Sequence, residues 1–146
     1  MTAHSLKDLY DRQLDDLYAA EQQSLQVLPA MERAAVSSEL IGALRGQQAR
    51  AREHLHRMEG LYRQEERVPA GRMSRGVKGL LRDCHDGCKA DGPAVRDVAL
   101  IASAQHLCHD EIAGYGCART WAKVLGYDSA AEILQKNLAE EKQADA

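Results

Sequence analysis

The chain has 146 residues, of which 28% are charged and 45% hydrophobic, and its formal net charge is −3 at pH 7. A chain of this length can bury a real hydrophobic core, and we expect a single domain over residues 1–146. Its mixed charges lack the basic patch of a nucleic-acid-binding protein, and no apolar stretch reaches the roughly 20 residues of a membrane span. We therefore expect a cytoplasmic protein whose partners include neither nucleic acid nor a membrane.

The composition favours helices, and the periodicity of apolar residues predicts five of them in chain order. Turn and capping signals set their ends. The first predicted helix runs from Ser5 to about Ala35 and contains Pro29, and the second is capped at Ser37 or Ser38 and fades near Gln64. A loop from Glu65 to Arg72 leads to a short third helix from Ser74 to about Cys88. The fourth helix is capped by Asp91, has Pro93 in its first turn and ends near Gly126, and a capping box at Ser129–Glu132 opens the last helix.

One acid stands out because it interrupts an apolar stripe on the first helix. The stripe reads Leu14, Leu17, Glu21, Leu25, Leu28, in steps of three and four that keep one face toward a core. Later stripes place Glu111 and Glu141 in the same way. Burying an unpaired carboxylate costs several kcal/mol, roughly, unless it is hydrogen-bonded, ion-paired or metal-bound. Three such acids in one helical core indicate a metal site.

Two long helical hairpins joined by a connection with a short helix predict an all-α, ferritin-like four-helix bundle with a short crossover helix. In di-iron bundles of this kind the ligands are carboxylates and imidazoles that face the bundle interior. The last helix offers Glu141 with Asp145 one turn later. On the fourth helix the predicted inner face consists of Val95, Val98, Ile101, Gln105, Cys108, Glu111 or Ile112, and Tyr115.

The second helix supplies His54 but lacks an acid one turn before it, where Arg50 stands. Glu53 and His56 have a metal-compatible spacing, although they lie toward the polar side of the helix. For Arg50 we formulate a separate hypothesis: its guanidinium takes the place of a metal and forks onto two of the core acids. A fixed cation of this kind would neutralise the cluster and leave a structural bundle.

The four cysteines, Cys84, Cys88, Cys108 and Cys117, are predicted to be reduced thiols. Cys108 and Cys117 lie on one predicted helix, about 13 Å apart along its axis, so they cannot bridge each other. Cys84, Cys88 and Cys108, each close to a histidine, leave open a thiolate site for zinc or copper, but their spacing matches no familiar zinc motif.

Several stretches together resemble the YciF/YciE-like family of bacterial ferritin-like proteins over nearly the whole chain. The stretches that carry the resemblance are Asp16–Glu21, His54–Glu59, Val95–Ala102, Glu111–Gly116, Leu125–Tyr127 and Leu138–Lys142.

The resemblance implies a stress-associated homodimer with a two-metal site, iron being the expected metal and zinc or copper the alternatives. The residues that match acidic or imidazole positions of the family pattern are Glu21, His54, Glu111, Glu141 and Asp145. Two positions depart from it, because Arg50 and Cys108 stand where family members have glutamates. The expected function is metal binding in a bacterial stress response, at most with a di-iron, ferroxidase-like activity. The alternative is a metal-free helical bundle with a structural or interaction role, its core acids paired with Arg50.

Overall fold

The computed structural model describes residues 2–145, and five helices account for most of them. They are α1 (Leu6–Ala34), α2 (Ser38–Gln64), α3 (Arg75–Gly87), α4 (Pro93–Val124) and α5 (Asp128–Asp145). No strand occurs between residues 2 and 145. Helix α1 packs on α2 and α4, α5 packs on α4 and α2, and the short α3 lies against α4 and α1. The prediction of an all-α, ferritin-like four-helix bundle with a short crossover helix is confirmed.

The helix starts follow local capping chemistry. The hydroxyl of Ser5 accepts a hydrogen bond from the backbone N–H of Asp8 at 3.1 Å, as the sequence predicts. The prediction of Asp91 as the cap of α4 is wrong: the cap is Gly92, whose φ of 83° suits glycine. The predicted capping box at Ser129 is also displaced, because α5 already begins at Asp128.

The core consists of two apolar clusters separated by a polar layer. The first contains Tyr10, Leu14, Leu17, Met58, Leu61, Tyr62, Tyr115, Ala118, Ala122, Ala130, Ala131, Leu134 and Leu138. The second contains Leu28, Met31, Ala35, Leu40, Leu44, Cys84, Leu100 and Leu107. On α1, α2 and α4 the residues between the clusters include buried polar side chains: Glu21, Ser24, Gln47, Gln48, His54 and Glu111. This polar layer, which Glu141 joins from α5, positions the candidate site.

The first half of α4 buries a different face from the predicted one. Val95, Val98 and Ile101 are 63%, 66% and 44% exposed, whereas Leu100 and Leu107 are fully buried. The prediction is wrong there because the crossover helix α3 packs against α4 and selects the adjacent face. Farther along, the predicted inner residues Cys108, Glu111 and Tyr115 are buried.

The turn between α1 and α2 is tied to α4 by one aspartate. The backbone N–H groups of Val36 and Ser37 donate to the two carboxylate oxygens of Asp97, at 2.9 and 2.8 Å. This residue of α4 therefore holds the turn of the first hairpin. Within residues 2–145 no helix has the length and apolarity that a bilayer crossing requires.

Candidate metal centre

Three buried side chains from three helices bring ligand atoms together in the polar layer. Glu21 of α1, His54 of α2 and Glu141 of α5 each offer one atom, and these atoms lie within 4.8 Å of one another. The three side chains are at most 2% exposed. Two carboxylates and an imidazole form a donor set that suits a divalent transition metal.

His54 is held at both ring nitrogens. Its Nδ1 lies 2.7 Å from Glu21 Oε1 and 3.6 Å from Glu141 Oε1, so it points into the cluster. Its Nε2 lies 2.9 Å from Glu140 Oε2. The guanidinium of Arg57 donates two hydrogen bonds, of 2.6 and 2.9 Å, to the carboxylate of Glu140. The Arg57–Glu140 pair therefore fixes the imidazole ring from outside the cluster, as carboxylates do for metal-bound histidines.

The surroundings favour the imidazolium form of His54 when only protein groups are present. Burial by itself lowers the pKa of His54, but the hydrogen bond and the negative charge of Glu21 raise it above its ordinary value. With both ring nitrogens facing carboxylates, both act as donors. A metal ion bound at Nδ1 would have to displace that proton.

Glu21 is shared between His54 and Tyr115. The Tyr115 hydroxyl donates to Glu21 Oε1 at 2.7 Å, and its ring meets the His54 ring edge to face at 5.6 Å. Burial raises the pKa of Glu21, whereas the hydrogen bonds from His54 and Tyr115 oppose the rise. Tyr115 therefore orients the carboxylate of Glu21 and belongs to the site.

Glu111 of α4 lies beside this cluster as a further buried acid. Burial raises its pKa well above the ordinary value, the charges of Glu21 and Glu141 raise it further, and Arg50 opposes them. The hydroxyl of Ser24 donates to the backbone oxygen of Ala20 at 2.7 Å and lies a long 3.5 Å from Glu111 Oε1. Glu111 is thus weakly hydrogen-bonded and strongly desolvated, a state that a cation would relieve.

Arg50 and Cys108 both meet Glu141. Arg50 Nε lies 3.6 Å from Glu141 Oε1, while the Cys108 thiol donates to Glu141 Oε2 at 3.0 Å. Burial and the hydrogen bond to Glu141 raise the pKa of the Cys108 thiol. The hypothesis that the Arg50 guanidinium forks onto two acids is wrong. Among residues 2–145, Glu141 is the one acid that forms an ion pair with Arg50 within 4 Å. The bidentate fork belongs instead to Arg57.

The other candidate residues lie outside the cluster. Asp145 is on the last turn of α5, where its carboxylate is 2.8 Å from Nε2 of His109. Glu53 and His56 are exposed on α2. All four cysteines are free thiols, as predicted, and of the three proposed for a thiolate site only Cys108 contacts a residue of the cluster.

Sequence reasoning missed the supporting roles of Tyr115, Glu140 and Arg57. The periodicity of α4 places Tyr115 on its inner face but indicates no role for it. For Glu140 the sequence does contain a signal, because Glu140 and Glu141 are adjacent on one helix and only one of two adjacent side chains can point straight into the core. The other carboxylate is then available to support the site from the side. No sequence pattern connects Arg57 to Glu140 before the fold is known.

Comparisons with known proteins identify the family of this chain. The domain family described as "Domain of unknown function (DUF892)" matches residues 5–146. Protein YciF of Escherichia coli (strain K12) is 32% identical over 147 residues, which cover 99% of this chain and 89% of that protein.

Two solved structures show the same fold. The E. coli stress protein YciF superposes with a TM-score of 0.92 at 30% identity, covering 98% of this chain and 91% of the other. YcfI from Rhodopseudomonas palustris gives a TM-score of 0.92 at 31% identity, covering 97% and 91%. The match across almost the whole chain shows that this protein belongs to the DUF892 family and is similar to YciF.

Proposed function

We propose that the protein binds a divalent transition metal ion, ferrous iron in the first place, in the core of its bundle as part of a bacterial stress response. The carrying observation is that Glu21, His54 and Glu141 present ligand atoms within 4.8 Å of one another. Glu111 is available as a further carboxylate. The stress role rests on similarity to a protein described as an E. coli stress protein.

The chain's own residues support this proposal in two ways. The Arg57–Glu140 pair keeps Nδ1 of His54 turned toward Glu21 and Glu141, so little reorganisation is needed for binding. Burial also raises the pKa values of Glu21 and Glu111, and this burial cost falls when a cation is present. Iron would supply Lewis acidity and one-electron chemistry at this position.

The residues present support one ion better than two. The resemblance implies a dinuclear site, but two of its acidic positions are taken by Arg50 and Cys108 in this chain. Arg50 brings a positive charge to 3.6 Å from Glu141, the same carboxylate that a second ion would need. We therefore propose a single ion for the natural sequence, and a di-iron, ferroxidase-like reaction does not form part of the proposal.

A second candidate function is a metal-free structural bundle. The observation that favours it is the number of cations already next to the core acids. His54 lies between Glu21 and Glu140, Arg50 lies beside Glu141, and each of these contacts offsets part of the buried negative charge. In this case the polar layer specifies the packing of the bundle, and the protein works by association.

The metal content of protein purified without an affinity tag tests the first proposal, followed by anaerobic titration with ferrous ion and cobaltous ion. We expect one ion per chain in wild type and a loss of binding in Glu21→Gln and His54→Gln. Glu132→Gln is the matched control, because Glu132 is exposed on α5. Binding that is equal in all four proteins would place the metal elsewhere. No binding in wild type, with a melting temperature that metal does not change, would favour the metal-free bundle.

We also propose that the protein is a homodimer, as the resemblance implies. Apolar side chains that are exposed in the single chain support this: Val95, Val98 and Ile101 follow one side of α4, and Val36 lies in the turn that Asp97 holds. Exposed apolar patches of this kind commonly mark interaction surfaces. Sedimentation equilibrium of wild type and Val98→Glu tests the proposal: a monomeric wild type contradicts it, and a dimer unaffected by the substitution excludes this surface.

A further inference from the structure

A cleft of about 280 Å³ runs between α2 and α4 beside the candidate metal centre. Its lining changes along its length. Leu40 and Leu44 of α2 and Ile101 of α4 line one end, and Gln47, Arg50 and Cys108 line the other. Leu40 and Arg50 are ten residues apart on one helix, so the two ends are separated by about 15 Å. The cleft thus has an apolar end and a hydrogen-bonding end.

The hydrogen-bonding end contains two buried donors that no group of residues 2–145 satisfies. Gln47 is only 7% exposed, and its amide nitrogen Nε2 is buried without a hydrogen-bond partner. The Nε of Arg50 is likewise buried and unpartnered, because its 3.6 Å distance to Glu141 is too long for a hydrogen bond. A buried donor without a partner costs roughly 1–3 kcal/mol, so both donors call for an acceptor.

The charges around these donors decide which kind of acceptor fits. Arg50 carries a positive charge that Glu141, 3.6 Å from its Nε, offsets in part, and Arg50 lines the cleft together with Gly46, where a Cβ would lie 3.6 Å from Nη1. Asp145 also lines the cleft, and its carboxylate lies 2.8 Å from Nε2 of His109. A carboxylate, which only accepts hydrogen bonds, matches this end best.

We propose that the cleft binds a small monocarboxylate with an apolar tail, whose head group accepts hydrogen bonds from Gln47 and Arg50 and whose tail lies along Leu40, Leu44 and Ile101. The volume fits a ligand below the usual range of drug-sized pockets, which starts at about 300 Å³. A short fatty acid has this size and polarity. This proposal does not rest on the metal site, and it is tested on the metal-free full chain.

Octanoate is the probe, with octanol and octylamine as ligands of equal tail length and different heads. Binding is followed by the amide chemical shifts of the ¹⁵N-labelled protein. We expect saturable shifts in the segments 40–50 and 101–108, with a Kd on the order of 0.1 to 1 mM for octanoate. Octanol should bind at least about tenfold more weakly, because it lacks the charge that Arg50 recognises.

Two variants and one control separate the proposal from non-specific binding. Gln47→Leu keeps the side-chain size but removes the donor, and it should weaken octanoate binding about tenfold. Arg50→Met should abolish the preference for octanoate over octanol. Gln143→Leu makes the same change at an exposed position and should bind like wild type.

Three outcomes would overturn the proposal. Octanol could bind wild type as tightly as octanoate, the shifts could fall outside the two named segments, or no saturation could occur at millimolar concentrations. A dimer whose second copy covers the cleft and blocks octanoate would give the last of these results. Cobalt titration of the same samples reports separately on the metal site, so failure of one proposal is distinguishable from failure of the other.

Discussion

Replacing Arg50 with glutamate should destabilise the metal-free protein and allow a second metal ion to bind in the core. Arg50 lies 3.6 Å from Glu141 and opposes the raised pKa of Glu111, so the change removes a cation and adds a third acid beside them. Breaking a fully buried pair costs about 3–5 kcal/mol, and the 27% exposure of the Arg50 side chain reduces this to about 2–3 kcal/mol. For a chain of this size that lowers the melting temperature by about 6–9 °C.

Metal should reverse this loss. With free metal at 100 times its Kd, each bound ion stabilises the folded state by about 2.7 kcal/mol. Urea unfolding with and without cobaltous ion, combined with equilibrium dialysis, measures both effects. We expect one ion per chain in wild type and two in Arg50→Glu, with the larger metal-induced shift of the unfolding midpoint in the variant.

Arg52→Glu is the matched control, because Arg52 is on the same helix and exposed, and the charge change is identical. The reasoning is refuted if Arg50→Glu melts together with Arg52→Glu and binds the same number of ions, since Arg50 would then act as a surface residue. A destabilised Arg50→Glu that gains no ion would retain the charge argument and reject the second metal position.

Three further outcomes follow from the polar layer and its packing. The raised pKa values of His54 and Glu111 mean that the folded state holds their protons more tightly than the unfolded state does. The free energy of unfolding of the metal-free protein should therefore fall as pH rises from the pKa values of the unfolded chain, about 4.3 for Glu and 6.5 for His, through those of the folded chain. Urea midpoints at about pH 5.5 and about pH 8 measure this, and affinity for metal should change in the opposite direction. Tyr115→Phe removes the donor to a buried carboxylate and should cost about 1–2 kcal/mol in urea unfolding; an unchanged midpoint would show that the hydroxyl is dispensable. Gly114→Ala places a Cβ 2.8 Å from a core leucine and should destabilise by about 1–3 kcal/mol, whereas Gly116→Ala has open space within 4 Å and should stabilise by up to about 1 kcal/mol. Equal effects of the two alanines in thermal unfolding would contradict the packing argument.

The sequence predicted the helices and the main inner residues because periodicity and capping are local properties. Leu14, Leu17 and Leu28 of the predicted α1 stripe are buried, and Glu21 and Glu111 are buried in the polar layer. The exposed Val95 and Val98 show where local patterns are insufficient. Which side of α4 is covered depends on α3, and apolar residues on both sides of a helix leave that choice to tertiary packing.

The site was predicted less completely than the fold, for a related reason. Carboxylates within an apolar stripe are visible in the sequence, so Glu21 and Glu141 could be named. The support of His54 by Glu140 and Arg57 spans more than 80 residues of chain, and a single sequence contains no trace of such a contact. The contact of Arg50 with one acid rather than two is a matter of side-chain geometry, which spacing along a helix does not determine.

The hydrogen bonds from the turn between the first two helices to Asp97 have a practical consequence for protein engineering. Both backbone N–H groups that it binds, those of Val36 and Ser37, would lose their acceptor if a peptide tag were inserted there, although Val36 is 60% exposed. The loop after α2 carries no such constraint at Ala70–Gly71, where the chain is exposed. An epitope inserted at Ala70–Gly71 should therefore leave the thermal midpoint nearly unchanged, and the same epitope at the Asp97-bound turn should lower it, because surface exposure alone does not make a loop permissive.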